Sequence, residues 1–245
     1  MVNLMLGDCL ERMKEIPDGS VDMILADPPY GTTACKWDSV IPLEPMWEQL
    51  KRVIKPNGAI VMTASQPFTS ALVMSNPKLF RYDFVWEKPM ATGALNANRM
   101  PLRAHESVLV FYEKLPTYNP QKTDGKPYRK VVKGEMVGRC YGGTGVADEF
   151  EQINSGTRHP RSVFKISNPN HKALHPTQKP VALMEYLIKT YTNEGETVLD
   201  FAAGSFTTAI ACINTNRKVI MIEKDPHYFK IGSERVERAL SERGD

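Results

Sequence analysis

Short apolar runs rich in β-branched residues recur along the chain at Val2 to Leu6, Val21 to Ala26, Ala59 to Thr63, Tyr82 to Trp86, Val108 to Tyr112, Thr197 to Phe201 and Val219 to Glu223. Runs of this kind, bounded by turn residues, predict strands. Between several of them the apolar positions fall at helical spacing, over Pro42 to Ile54, Pro67 to Met74, Pro180 to Tyr191, Thr207 to Asn214 and Pro226 to Leu240. The last segment opens with Asp225 as N-cap and Pro226 at the first helical position, where a missing N–H costs nothing. Strands alternating with helices predict a doubly wound, mostly parallel α/β sheet of about seven strands.

The rhythm breaks between Lys88 and Lys172, a stretch rich in Gly, Pro, Asn, Arg and Lys that contains only the strand near Val108. It is expected to be mostly loop, an insertion over 88–172 dividing one domain into halves at 1–87 and 173–245. Lys122, Lys126, Arg129, Lys130 and Lys133, then Arg158, His159 and Arg161, cluster here beside Tyr118, Tyr128 and Tyr141. Such a patch fits nucleic-acid contact, with cations on phosphates and rings on bases. It equally fits a solvated surface loop.

Composition narrows the picture further. The 245 residues suffice for one substantial core with an embellishment. No apolar run approaches the roughly 20 residues that cross a bilayer, and the first residues lack the pattern of an export signal, so a cytoplasmic location without membrane association is expected. Cys9, Cys35, Cys140 and Cys212 form no paired motif, and the five histidines are dispersed, so neither a disulfide framework nor a metal site is expected. A net charge of +3 permits a polyanionic partner without demanding one.

The sharpest chemical signal is Asp27-Pro28-Pro29-Tyr30, which directly follows a predicted strand. In an α/β sheet the carboxyl ends of strands face the ligand crevice. The prolines remove two backbone donors, leaving the Asp27 carboxylate and the Pro28 carbonyl as an acceptor pair matched to an NH2 group. Tyr30 offers a flat face for a purine or pyrimidine. Two acceptors holding both N–H bonds of an aromatic amine would expose its lone pair and stabilise the positive charge that develops during alkylation.

A second centre lies near the C-terminus. Thr197 to Phe201 reads as a strand, Ala202 to Ser205 as a small-residue turn, and Phe206 onward as a helix, an arrangement that lets a ligand approach the backbone. A following strand ends in Glu223, placed to bind both hydroxyls of a ribose.

These residues resemble the β group of amino-type DNA methyltransferases, in which the catalytic motif precedes the cofactor motif. The resemblance rests on Gly7-Asp8-Cys9, Asp27-Pro-Pro-Tyr30, Arg103-x-His105-Glu106, His175-Pro-Thr-Gln-Lys-Pro180, the loop Asp200 to Thr208, and Ile222-Glu223-Lys224-Asp225. It implies a Rossmann-like S-adenosylmethionine-dependent methyltransferase sheet with a target-recognition insertion. It also implies methyl transfer to adenine N6 of a base flipped out of double-stranded DNA. Asp27, Pro28, Pro29 and Tyr30 form the implied catalytic set. The implied cofactor set is Asp8 with Cys9, Asp27, Lys179, Pro180, the loop residues Asp200, Phe201, Ala202, Gly204, Ser205, Phe206, Thr207 and Thr208, and Glu223 with Lys224. The resemblance implies a target-recognition segment between Trp86 and His175, and the basic patch within it supplies the candidate DNA-binding residues Lys122, Lys126, Arg129, Lys130, Lys133, Arg158 and Arg161. A second copy of the chain and a cognate restriction endonuclease enter as further implied partners.

One departure stands out. The family has phenylalanine two residues before the loop glycine and a second glycine two residues after it, where this chain has Ala202 and Phe206. On one reading Phe201 or Phe206 packs on the cofactor instead. On another the loop no longer takes the cofactor, leaving an inactive DNA-binding relative. Cytosine N4 is the alternative acceptor. A nicotinamide-dependent oxidoreductase lacks its full glycine motif here and leaves Asp-Pro-Pro-Tyr unexplained.

Overall fold

A computed structural model describes residues 1–33, 38–133, 149–167 and 178–244. They divide into two compact units, the first of Met1–Asn119 with Ser162–Asp245 and the second of Pro120–Arg161. Cys35, Cys140, Tyr141, His171 and His175 lie outside the described residues.

The first unit is built on an eight-stranded sheet. Its strands are β1 (Val2–Leu6), β2 (Val21–Ala26), β3 (Ile54–Ala64), β4 (Phe80–Thr92), β5 (Arg103–Phe111), β10 (Val163–Lys165), β11 (Thr197–Asp200) and β12 (Lys218–Glu223). Their order is β1-β12-β11-β2-β3-β5-β4-β10, and β5 alone runs antiparallel to its neighbours. The seven expected strands are present, with β1 and β2 at the expected bounds.

Alternating side chains send each central strand into two cores. Met23 and Leu25 of β2 join Val198, Met221 and the helices α4 (Val181–Tyr191), α5 (Thr207–Asn214) and α6 (Pro226–Arg243). Ile24 and Ala26 join Leu199, Ile222 and the helices α1 (Cys9–Arg12), α2 (Leu43–Val53) and α3 (Phe68–Ser75). Because helices cover both faces, β2 is apolar almost throughout, as parallel strands buried on both sides require. Among the described residues no helix is long and apolar enough to cross a membrane.

The stretch expected to be mostly loop carries more β-structure than its composition suggested. Strand β4 runs on to Thr92, β5 begins at Arg103, and β10 adds an edge strand. In the second unit, β6 (Thr123–Asp124) pairs with β9 (Thr157–Arg158), and β7 (Tyr128–Lys133) with β8 (Glu149–Asn154), both antiparallel. Exposed ribbons of this kind alternate charged residues with scattered apolar ones, so no apolar run announces them.

Packing also explains the odd residue in the second loop. Phe206 caps α5 in a left-handed conformation, φ 61° and ψ 37°, where glycine is the usual occupant. Its ring is fully buried in the core, edge-on to Phe229 at 5.7 Å between centroids. A Cβ built on Gly232 of α6 would fall 2.4 Å from that ring. The glycine missing from the loop therefore has a counterpart on α6, where the absent side chain makes room for Phe206. Gly232→Ala is expected to cost roughly 1–3 kcal/mol by overpacking, and much less in a Phe206→Ala background. Denaturant midpoints of the two backgrounds decide; an equal cost in both contradicts the pairing.

Candidate active site

Strands β1, β12, β11, β2 and β3 are adjacent and parallel, so their carboxyl ends line one edge of the sheet. Along that edge stand Asp8, Glu223, Asp200, Asp27 and Thr63, each at or just past the end of its strand. From β11 the chain proceeds to β12 on one side, and from β2 to β3 on the other. The β11/β2 boundary is thus a switch point, where such sheets bind ligands. The catalytic and cofactor motifs, 173 positions apart between Asp27 and Asp200, become neighbours here.

Asp27 sits at the centre of a hydrogen-bonded cluster. Its Oδ1 accepts from the Tyr30 hydroxyl at 2.6 Å and from the Thr63 hydroxyl at 2.5 Å. Its Oδ2 accepts from the Lys179 ammonium at 2.6 Å. Lys179 also stands 3.3 Å from Glu106 Oε2, and Glu106 Oε1 accepts from Lys88 at 3.0 Å. Burial alone would lower the Lys179 pKa, but the Asp27 and Glu106 carboxylates outweigh it and hold the ammonium above the ordinary lysine value. Burial, then the Asp27 carboxylate, pushes the Tyr30 phenol well above its ordinary value, so it stays a donor.

Tyr30 departs in one respect from the open stacking face expected of it. Phe68 stacks on the ring at 5.4 Å and 21°, and the Lys179 ammonium lies over it 5.6 Å from the centroid. Pro28 is buried and Pro29 half-buried in the turn that carries Tyr30 away from β2.

The second centre is shaped by Glu223. Its Oε2 accepts from Gly204 N and its Oε1 from Asp225 N, both at 2.7 Å. Burial raises its pKa from the ordinary carboxylate value. Each oxygen keeps a further lone pair, so the half-buried carboxylate can still take a diol, and the small residues Ala202, Ala203 and Gly204 beside it leave backbone accessible. This donor set fits a nucleoside. Asp8 Oδ1 caps α1 through Leu10 N at 3.0 Å, and its Oδ2 meets the exposed Lys224 at 3.2 Å.

Several residues assigned to the cofactor are also engaged in holding the loop together. Asp200 is buried, accepting from Ala202 N at 3.0 Å and from the Thr208 hydroxyl at 2.6 Å. Ser205 donates to Gln178 Oε1 at 3.1 Å, tying the loop to the segment that carries Lys179 and the buried Pro180. Arg235 of α6 donates to Ser205 O at 2.9 Å and to Thr207 Oγ1 at 3.1 Å. Phe201, 2% exposed, and Phe206, 0% exposed, lie in the cores on opposite faces of the sheet. Neither ring stands in for the one missing at Ala202, because each is taken up by packing. Cys9 is likewise a core residue, its thiol pushed up to about 11, first by burial.

The basic residues fall in the second unit. Lys122, Lys126, Arg129, Lys130 and Arg161 are exposed, whereas the Lys133 side chain lies outside the described residues. Arg129 forms a two-pronged pair with Glu151. Arg158 is spent on structure, donating to Asn154 Oδ1 at 2.6 Å, to the Thr157 carbonyl at 3.0 Å and to the Lys126 carbonyl, while lying over the Tyr128 ring at 5.0 Å. Lys130 lies over the same ring at 5.7 Å.

Thr63, Lys88 and Arg235 carried no earlier signal, and Glu106 figured only as part of a motif. Thr63 was discoverable in principle, as a lone hydroxyl ending an apolar strand. Lys88 and Arg235 needed tertiary contacts to be seen.

A family model described as DNA methylase matches residues 21–234. The type II methyltransferase M.HpaI of Haemophilus parainfluenzae is 28% identical over 250 residues, covering 96% of this chain and 74% of its own. The DNA adenine methyltransferase YhdJ of Escherichia coli K12 is 28% identical over 254 residues, covering 95% and 82%. The crystal structure of an M1.HpyAVI–SAM complex aligns with a TM-score of 0.66 and 25% identity over 96% of this chain and all of that one. The cytosine-N4-specific PvuII DNA methyltransferase shares the fold, with a TM-score of 0.67, 16% identity and coverage of 98% and 91%.

Burial holds the Asp200 carboxyl up at about 7, against an ordinary value of 3.8. The folded chain thus keeps a proton there that the unfolded chain releases. Stability from the protonated form is complete below about pH 4 and is lost as pH rises toward 7. Asp200→Asn is expected to abolish that loss, gaining on the parent by a few kcal/mol between about pH 4.5 and 7.5. Urea midpoints at both pH values check this; a difference that does not change with pH contradicts it.

Proposed function

The chain belongs to the amino DNA methylase family, and from that premise we propose that it methylates adenine N6 in double-stranded DNA, with S-adenosylmethionine as donor. The observation that carries the reading is the Asp27 carboxylate at the β2 end, one strand from the Gly204–Glu223 centre and tied by Lys179 to the segment entering α4.

The donor supplies an electrophilic methyl group on a sulfonium, with Glu223 and Asp8 for its nucleoside end and Lys179 with Pro180 near its amino-acid end. The remaining work falls to this chain. Asp27 and the Pro28 carbonyl accept the two N–H bonds of the target amine and hold its lone pair toward the methyl carbon. Thr63 and Tyr30 fill Oδ1, so the amine is left Oδ2, which it would share with the Lys179 ammonium. The amine nitrogen would take the methyl group and become cationic as the sulfonium charge of S-adenosylmethionine is lost. Its surplus proton then passes to Asp27 or to water, and no metal or covalent enzyme intermediate is required.

Adenine is favoured over cytosine N4 by the aspartate heading the tetrapeptide. The E. coli relative, named an adenine methyltransferase, supports the same choice. Buried Phe206 speaks against the reading of a decayed cofactor loop, since its ring does not project into the pocket. Among the described residues, Lys122, Lys126, Lys130 and Arg161 are exposed cations not paired with a carboxylate, and they are the leading candidates for phosphate contact, whereas Arg129 is paired with Glu151. A homodimer, a cognate endonuclease and a cytoplasmic setting accompany this reading.

Asp27→Ala is expected to lower transfer by at least about a thousandfold while S-adenosylmethionine affinity changes less than about fivefold. Tyr30→Phe, which removes one of the two hydroxyls on Oδ1, should retain most activity. Tritiated methyl transfer with nucleoside analysis of the product measures both the rate and the base. Retained activity in Asp27→Ala removes the carboxylate from its role, and N4-methylcytosine as the product replaces adenine as the target.

A further inference from the structure

We infer that Glu106 is a positioning residue for the reaction, a second anion that draws the Lys179 ammonium off Asp27 as the target base enters. The inference rests on the reading of Asp27 as the acceptor of the target amine.

The reason is a conflict at the centre of the pocket. Lys179 Nζ holds Asp27 Oδ2 at 2.6 Å and covers the Tyr30 ring at 5.6 Å. Oδ1 already accepts two hydroxyls, so Oδ2 is the oxygen with capacity for an incoming N–H. One ammonium therefore takes a lone pair of the acceptor oxygen and lies over the stacking surface that the base needs. It cannot simply be abandoned to the interior, because Lys179 is only 7% exposed and an unpaired buried cation is costly.

Glu106 resolves the conflict. It lies at Trp86↔Glu106 on the β4–β5 hairpin, where β5 enters the sheet at the same edge. Its Oε1 is anchored by Lys88 at 3.0 Å. Its Oε2 is buried and makes no hydrogen bond among the described residues, yet stands 3.3 Å from Lys179 Nζ. A carboxylate oxygen already 3.3 Å from the ammonium it shares with Asp27, with no other donor among the described residues, is a ready second seat. The alternation Lys88, Glu106, Lys179, Asp27 keeps every charge paired while the ammonium tightens onto Glu106. Removing the Glu106 charge should leave Lys179 locked on Asp27, slowing transfer without disturbing the Glu223 centre.

Glu106→Gln preserves shape and removes the charge, and Glu106→Asp restores the charge at shorter reach. Single-turnover transfer of tritiated methyl to PCR-amplified, unmethylated genomic duplex is compared with calorimetric S-adenosylmethionine binding, duplex binding and the melting midpoint. Glu106→Gln should slow single-turnover transfer by at least about tenfold while both affinities stay within about twofold, and Glu106→Asp should recover part of the rate. Gln at the parent rate, Asp no faster than Gln, or affinities and melting falling in step with rate would each overturn the inference. Asp27→Asn runs alongside: full activity there sinks the underlying reading, whereas an inactive Asp27→Asn beside a fully active Glu106→Gln sinks this inference alone.

Discussion

The contact between Lys179 and Asp27 joins groups 152 positions apart and holds together what the rest of the sheet brings close. Without it the end of β2 would be a carboxylate beside other carboxylates: Asp200 and Glu223 stand at neighbouring strand ends, and Glu106 lies within reach. The ammonium between Asp27 and Glu106 offsets their charge and fixes the segment entering α4 against the catalytic turn. The doubly wound topology supplies the meeting place, since the chain leaves β2 and β11 in opposite directions and opens the crevice between them.

The cofactor loop shows how a local rule can be broken and repaired elsewhere. A non-glycine residue in the left-handed region costs on the order of 1–2 kcal/mol. Phe206 offsets this by burying its ring fully in the notch left at Gly232, and Arg235, one helical turn further along α6, hydrogen-bonds the loop on either side of it. The loop keeps its small face toward the crevice because the bulk has been moved to the core side.

The apolar strands were legible because strands covered on both faces read as unbroken hydrophobic runs, and α6 was legible from Asp225 and Pro226. Asp27, Glu223 and Gly204 were legible because strand-end acids and small turns carry their meaning locally. The inward burial of Phe206 was not, since nothing near it in the chain announces Gly232. The reading of Arg158 as a candidate DNA contact did not foresee its Lys126 carbonyl partner, 32 positions away, which approaches it only when β6 pairs with β9. Glu106 sat in plain view within its motif, but its purpose depends on Lys179 and Lys88, which approach it only through the β4–β5 hairpin and the segment before α4.

The bond between the two centres is tested most directly by a stability double-mutant cycle over Asp27→Asn and Lys179→Met, with folded fractions followed in urea. A buried, hydrogen-bonded ion pair predicts a coupling of roughly 1–3 kcal/mol. Additive effects, with no coupling beyond about 0.5 kcal/mol, would mean that the two side chains do not hold each other, and that the catalytic turn and the cofactor segment are positioned independently.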